Sequence, residues 1–206
     1  MQRSLRIILT ALVAVGIALP AGASSFVAMS TKGMVAASDT VVRGRVVSVE
    51  SFWNERHTII VTEAVFEVET TLVGAAPRYL TLRTAGGTVD GFTVEASGFP
   101  TFRSEEHALL FLARDDAKPL GNVYTKGRPE GYRVTGYELG HYHVVNDREV
   151  AIAVPAADPA LRLIGAGGRS VEAPRVRRLA EFEEEIRQLG RGLGREVGAP
   201  GKSPRR

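Results

Sequence analysis

The sequence predicts an all-β fold, a small β-barrel carrying a short N-terminal helix and a C-terminal amphipathic helix. Three observations predict it. From Thr40 onward, β-branched and apolar residues alternate with polar ones in successive segments separated by glycine- and proline-bearing turns. Ala108-Leu109-Leu110-Phe111-Leu112 is a continuous apolar run of strand length, the texture of a strand buried on both faces. Beyond Pro174 the apolar period changes from two to three and four, which is helical.

Residues 1–23 precede that fold and read as an export signal. Arg3 and Arg6 are followed by the uncharged apolar stretch Ile7 to Pro20 and by Ala21-Gly22-Ala23, small residues suited to cleavage before Ser24. The stretch is short of the ~20 apolar residues that a spanning helix needs. A periplasmic or extracellular protein without an integral membrane span is therefore expected after leader removal. About 180 residues remain, enough for one domain with its own core. The chain has no cysteine, which excludes disulfides, thiol catalysis, thiolate metal sites and a lipid anchor on an N-terminal thiol. Its formal charge of +3 includes the leader arginines and a basic C-terminal end. The near-neutral remainder offers no basic face for nucleic acid.

The elements follow in order. Residues 24–37 hold a short helix with Ser30 as its cap. The barrel spans 38–155. Val41 to Val49 forms a long strand that bends at Gly44, and a polar interval at 54–58 makes a hairpin with Ile59 to Glu69. In the second strand Ile60, Thr62, Ala64, Phe66 and Val68 form the inward face. Leu72-Val73-Gly74 and Pro77 end it, Tyr79 to Arg83 supplies the next strand, and Gly86-Gly87 marks a turn or bulge. Residues 88–106 carry Phe92, Phe99 and Phe102 and therefore read as an ordered, partly buried loop. Ala108 to Leu112 is the central strand, followed by a polar connection over 115–129. Tyr132 to Tyr137 and His141 to Val145 flank Glu138-Leu139-Gly140, which reads as a hairpin with a three-residue loop. Val150 to Val154 extends the sheet. A linker and helix occupy 156–189, with Val176, Leu179, Phe182, Ile186 and Leu189 on one stripe and Pro174 in the first turn. Residues 190–206, Gly-, Pro- and Arg-rich without an apolar stripe, read as a disordered basic tail.

Several of these residues carry a resemblance. Ser38-Asp39-x-Val41-Val42-x-Gly44-x-Val46, Leu72-Val73-Gly74, Ala85-Gly86-Gly87-x-Val89-x-Gly91, Gly98-Phe99-Pro100-x-Phe102 and Leu109-Leu110-Phe111-Leu112 together resemble a group of exported bacterial proteins of unassigned function. The strand order resembles an OB-like barrel, including the netrin-like modules of tissue inhibitors of metalloproteinases, and so implies that architecture. Those inhibitors reach a protease zinc through a mature N-terminal cysteine. Ser24 stands at that place here, so the cysteine-dependent mechanism does not carry over.

Candidate chemistry is sparse. His141 and His143 lie two apart on a strand, so both imidazoles share a face and could hold a divalent metal, with His57, His107, Glu106 or Glu138 as further ligands. The competing arrangement has Tyr142 and Val144 inward and the histidines on a solvated face, and it is the default because two ligands do not complete a shell. Ser104-Glu105-Glu106-His107 offers acid–base groups but reads more simply as a polar turn. Ser97-Gly98 lacks the pattern of a nucleophile elbow, and Gly86-Gly87 lacks the lysine of a phosphate loop. Phe92, Phe99 and Phe102 either line a groove or cap the barrel end, with the cap preferred, and Trp53 either packs the hairpin end or joins a binding patch. Arg175, Arg177 and Arg178 suit an anionic surface or a solvated helix start.

The expected function is that of an exported, non-catalytic binding module for protein or peptide. Trp53, Phe92, Phe99 and Phe102 are its candidate binding residues, and no cofactor is expected, a divalent metal on His141 and His143 being the alternative. The alternatives are a protease-inhibitor-like module acting through its mature N-terminus, a metal-dependent hydrolase using His141 and His143, and a purely structural envelope component. A binding module of this kind would present an extended surface without a convergent cluster of ionisable groups.

Overall fold

Strands β2 (Thr40–Trp53) and β3 (Ile60–Val73) form the long hairpin that the alternation predicts, with 14 residues in each arm. The computed structural model describes residues 26–27, 29–54, 56–115, 131–157, 163–164 and 174–198. Residues 1–23, read from the sequence as an export signal, the connection from 116 to 130 and residues 199–206 lie outside them. Asn54 sets the hairpin turn: its buried side-chain oxygen accepts the amides of Thr58 at 2.8 Å and Ile59 at 3.3 Å.

The first half of β2 also pairs with β7 (His107–Asp115), from Thr40↔Leu112 to Arg45↔His107. Serving both neighbours requires β2 to bend, and its pairing with β3 shifts register between Arg43 and Gly44 and again between Val46 and Ser48. Gly44 has no substitute there, because a Cβ would lie 1.9 Å from the backbone oxygen of Glu67. β4 (Tyr79–Ala85) pairs with β3, and β8 (Gly131–Val134) pairs with β7 while touching β4 at Leu82↔Tyr132. The run β7-β2-β3-β4-β8 thus comes back on itself and is barrel-like. The sheet continues outward from β7 through β9 (His141–Asp147) and β10 (Val150–Pro155) to the short β12 (Arg177–Arg178). Two small ladders stand apart: β5 (Gly87–Val89) with β6 (Phe92–Val94), and β1 (Phe26–Val27) parallel to β11 (Leu163–Ile164).

The central apolar run serves two cores. Ala108, Leu110 and Leu112 enter the barrel interior with Val42, Val46, Phe66 and Leu82. Leu109 and Phe111 point the other way, onto Met34 and Val35 of α1 (Thr31–Ala37) and Phe182 and Ile186 of α2 (Leu179–Gly192). Period-two geometry divides one apolar segment between two layers, and each such fully buried side chain is worth roughly 1.5–3 kcal/mol. Ser30 caps α1 as expected, its hydroxyl accepting the Gly33 amide at 3.1 Å.

Three expectations are corrected. Residues 132–145 do not form a hairpin: β8 and β9 both run antiparallel along the same neighbour, β7, with Leu112↔Val134 continuing to Leu110↔His141. Between them Gly136 and Tyr137, at φ 70° and 59°, throw out a 3-10 turn over Tyr137–Gly140 before the strand resumes. The C-terminal helix starts at Leu179, so Pro174 lies outside it and Arg177–Arg178 joins the sheet instead. The described residues after 189, from Gly190 to Gly198, are not a disordered tail. α2 continues to Gly192, Val197 bridges to Val73, and the Gly198 amide reaches the Leu72 carbonyl at 3.3 Å.

Candidate functional site

The register of β9 on β7 places His143 opposite Ala108 and His141 opposite Leu110, on the barrel face of the sheet. His141 is fully buried and its ring lies 5.3 Å from that of Phe102, while the His143 side chain nearer the rim is 38% exposed. The solvated histidine face expected from alternation is therefore not found. At its start β9 is covered on both sides, with Tyr142 packed against Phe182 of α2 on the other.

Glu106 meets the histidines from the segment leading into β7. Its carbonyl accepts the Val46 amide at 2.8 Å, its own amide donates to Arg103 at 3.2 Å, and its carboxylate Oε2 accepts the Arg103 amide at 3.0 Å. The backbone is thus fixed before the side chain acts. Oε1 then accepts from His141 Nε2 at 2.7 Å and from His143 Nδ1 at 2.9 Å. Burial works to raise the Glu106 pKa, but the hydrogen bonds from His141 and His143 prevail and hold it at about 2. Burial pushes His141 below the ordinary imidazole value, against the pull of Glu106. An ionised carboxylate only accepts, so both imidazoles turn an N–H toward it. His141 Nδ1 is then a bare lone pair without a partner among the described residues.

The ligand atoms of Glu106, His141 and His143 all lie within 4.8 Å of one another. Contrary to expectation for a plain binding surface, ionisable groups do converge. Of the further ligands considered from sequence, only Glu106 joins. His57 lies beside the Trp53 ring at 6.1 Å, and His107 faces Glu69 at 3.4 Å. Glu138 lines a separate groove.

That groove is a cavity of about 430 Å³ over the β2, β3 and β4 strands, walled by the β5–β6 hairpin and the 95–102 segment. Hydroxyls tie its parts together. Ser51 and Thr62 are 2.8 Å apart, Thr62 donates to the Gly86 carbonyl at 2.7 Å, and Thr84 donates to the Pro100 carbonyl at 2.8 Å. Gly87, at φ 130°, lets the chain pass over that row, since a Cβ there would be 2.4 Å from both the Ser51 and Thr62 oxygens.

The four aromatic candidates separate. Phe99 and Phe102 line the groove, Phe99 edge-on to Tyr137 at 5.0 Å and Phe102 only 7% exposed in the barrel core. Trp53 and Phe92 instead pack edge to face at 6.3 Å, and Phe92 is 65% exposed, so it does not cap the barrel end. A signal absent from the residue types is the state of β2. Beyond Val46 it pairs with β3 alone, and among the described residues no strand lies on its other edge. Val47 to Glu50 are exposed there, and Val49 and Ser51 line the groove.

Comparison with protein-family models, with curated proteins and with solved structures gives no match.

Proposed function

We propose that the protein is an exported, non-catalytic binding module that takes an extended polypeptide segment by strand addition to β2 beyond Val46, with the adjoining groove receiving its side chains. The observation that carries this reading is the one-sided pairing of β2 along the stretch that lines the groove. A strand edge offers amides and carbonyls in the spacing of another strand, and a neighbouring pocket supplies side-chain selection. The groove lining is mostly hydroxyl-bearing, small and apolar, with Glu95 and Glu138 as its charged members, and suits backbone-following recognition more than recognition of an anionic ligand. Glu106, His141 and His143 do not line it, so the converging ionisable groups are not placed to act on what it holds.

The test uses the chain from Ser24. A decapeptide selected from a random display library is resynthesised with a single N-methyl group at each position in turn. Strand addition predicts that methylation abolishes binding at alternate positions and that Val49→Lys weakens it. Uniform tolerance of N-methylation, or failure of the library to yield any binder, would overturn the reading. Export is checked separately by fractionating cells that express the chain with and without residues 1–23.

A further inference from the structure

We propose that Glu106, His141 and His143 form a binding site for one divalent transition-metal ion of the zinc class, outside the peptide groove. The donor set is two imidazole nitrogens and one carboxylate oxygen, which suits zinc, cobalt, nickel or copper and not the oxygen-seeking calcium or magnesium. The ligand atoms already lie within 4.8 Å of one another, so a central ion needs side-chain adjustment and no backbone movement. Two of the three ligands are held by the fold: His141 by complete burial, Glu106 by its own backbone bonds and the Arg103 amide. His143 is the partly exposed member, and its side is the entry path and the open coordination position.

The proton inventory closes without a partner reagent. An imidazole in its neutral form carries its proton on the nitrogen that faces the Glu106 carboxylate. When the ion takes those nitrogens, the proton of His141 moves from Nε2 to Nδ1 and that of His143 from Nδ1 to the outer Nε2. No proton leaves the protein. The ligand charge of the site, one carboxylate, turns a dication into a single residual positive charge. His141 Nδ1–H would have no acceptor among the described residues, which limits affinity. The hydrogen-bonded triad without metal is otherwise complete. The fold is therefore expected to outlast chelation, unlike domains whose folding is metal binding.

The experiment uses tag-free protein dialysed against chelator and titrated with cobalt(II). The expected result is one cobalt per chain with visible absorption of a low-coordinate centre and, with diamagnetic zinc(II) in place of cobalt, a shift of the proton from Nε2 to Nδ1 of His141 in nitrogen-15 spectra. His143→Ala and Glu106→Gln, each checked for folding by circular dichroism, should weaken binding by about tenfold or more. His107→Ala should bind as the parent does. A titration without saturable absorption would overturn the proposal and leave a hydrogen-bonded clamp. So would unchanged binding in folded Glu106→Gln or His143→Ala protein.

Discussion

The ring of Phe102 lies 5.3 Å from the ring of His141, tilted by 34°. One side chain thereby touches both the groove, which it lines, and the buried histidine of the Glu106 cluster. The 95–106 segment is held at both ends of this contact, by Phe102 in the barrel core and by the Glu106 carboxylate on β9.

Phe102→Ala should therefore cost about 3–5 kcal/mol in urea unfolding, the usual range for emptying a buried phenylalanine site. Phe102→Leu should retain most of that stability. An alanine variant as stable as the parent would show that Phe102 is not core.

Glycine substitutions should divide sharply by position. Gly44→Ala drives a methyl to 1.9 Å from the Glu67 carbonyl, so a loss of about 3 kcal/mol or more, or failure to accumulate, is expected. Gly192→Ala, in the last turn of α2 with nothing within 4 Å of its Cβ position, should be neutral or stabilising by up to about 1 kcal/mol. Thermal melts of the two variants check both directions.

Arg43 on β2 joins the sheet to α2: its Nε donates to Glu183 at 2.7 Å and its Nη1 to Glu69 at 2.6 Å. The Arg43 and Glu183 side chains are only 12% and 11% exposed, and Glu183 also receives Arg187 at 3.1 Å. Removing Glu183 alone leaves Arg43 with Glu69 as its one carboxylate and Arg187 with only the longer contact to Glu184 at 3.9 Å. A double-mutant cycle of Arg43→Met and Glu183→Gln should give a coupling of about 2 kcal/mol, with the double variant more stable than the sum of the single losses predicts.

Glu67 supplies a pH test on the exposed side of the hairpin. Hydrogen bonds from Arg78, then Arg45, lower its pKa against a small opposing effect of burial, and Tyr79 adds to the lowering. A carboxyl lowered in the folded state stabilises fully above its unfolded value and loses that contribution as pH falls through the folded one. The difference in melting temperature between the parent and Glu67→Gln should thus be present at neutral pH and shrink as pH is taken below 4.5. A difference that grows on acidification would contradict the assignment.

Alternation made β2, β3 and β4 legible, and the apolar density of Ala108 to Leu112 revealed a strand with two buried faces. What escaped the sequence depended on partners far along the chain. Gly136 and the polar residues after it have the chemistry of a hairpin turn, yet nothing local says that the strand will resume on the same neighbour. The late glycines read as disorder because they carry no apolar stripe. Gly190 and Gly198 instead allow close approach, to the Val73 side chain and the Thr71 carbonyl respectively. Glu106 was one of four further ligands that residue type allowed for the histidine pair, and only the register of β7 on β9 selects it. The open edge of β2 had no sequence signal, since it is a property of what β7 fails to cover.

Arg195, three residues before the end of the described chain, donates to the carbonyls of Val35, Ser38 and Asp39, where α1 gives way to β2. Synthesis delivers those carbonyls about 160 residues before their donor, a separation the barrel must span while it assembles. The junction that leads into the first long strand is therefore sealed by a residue that emerges after all the barrel strands. A chain cut short of Arg195 would carry every barrel strand and still lack the latch.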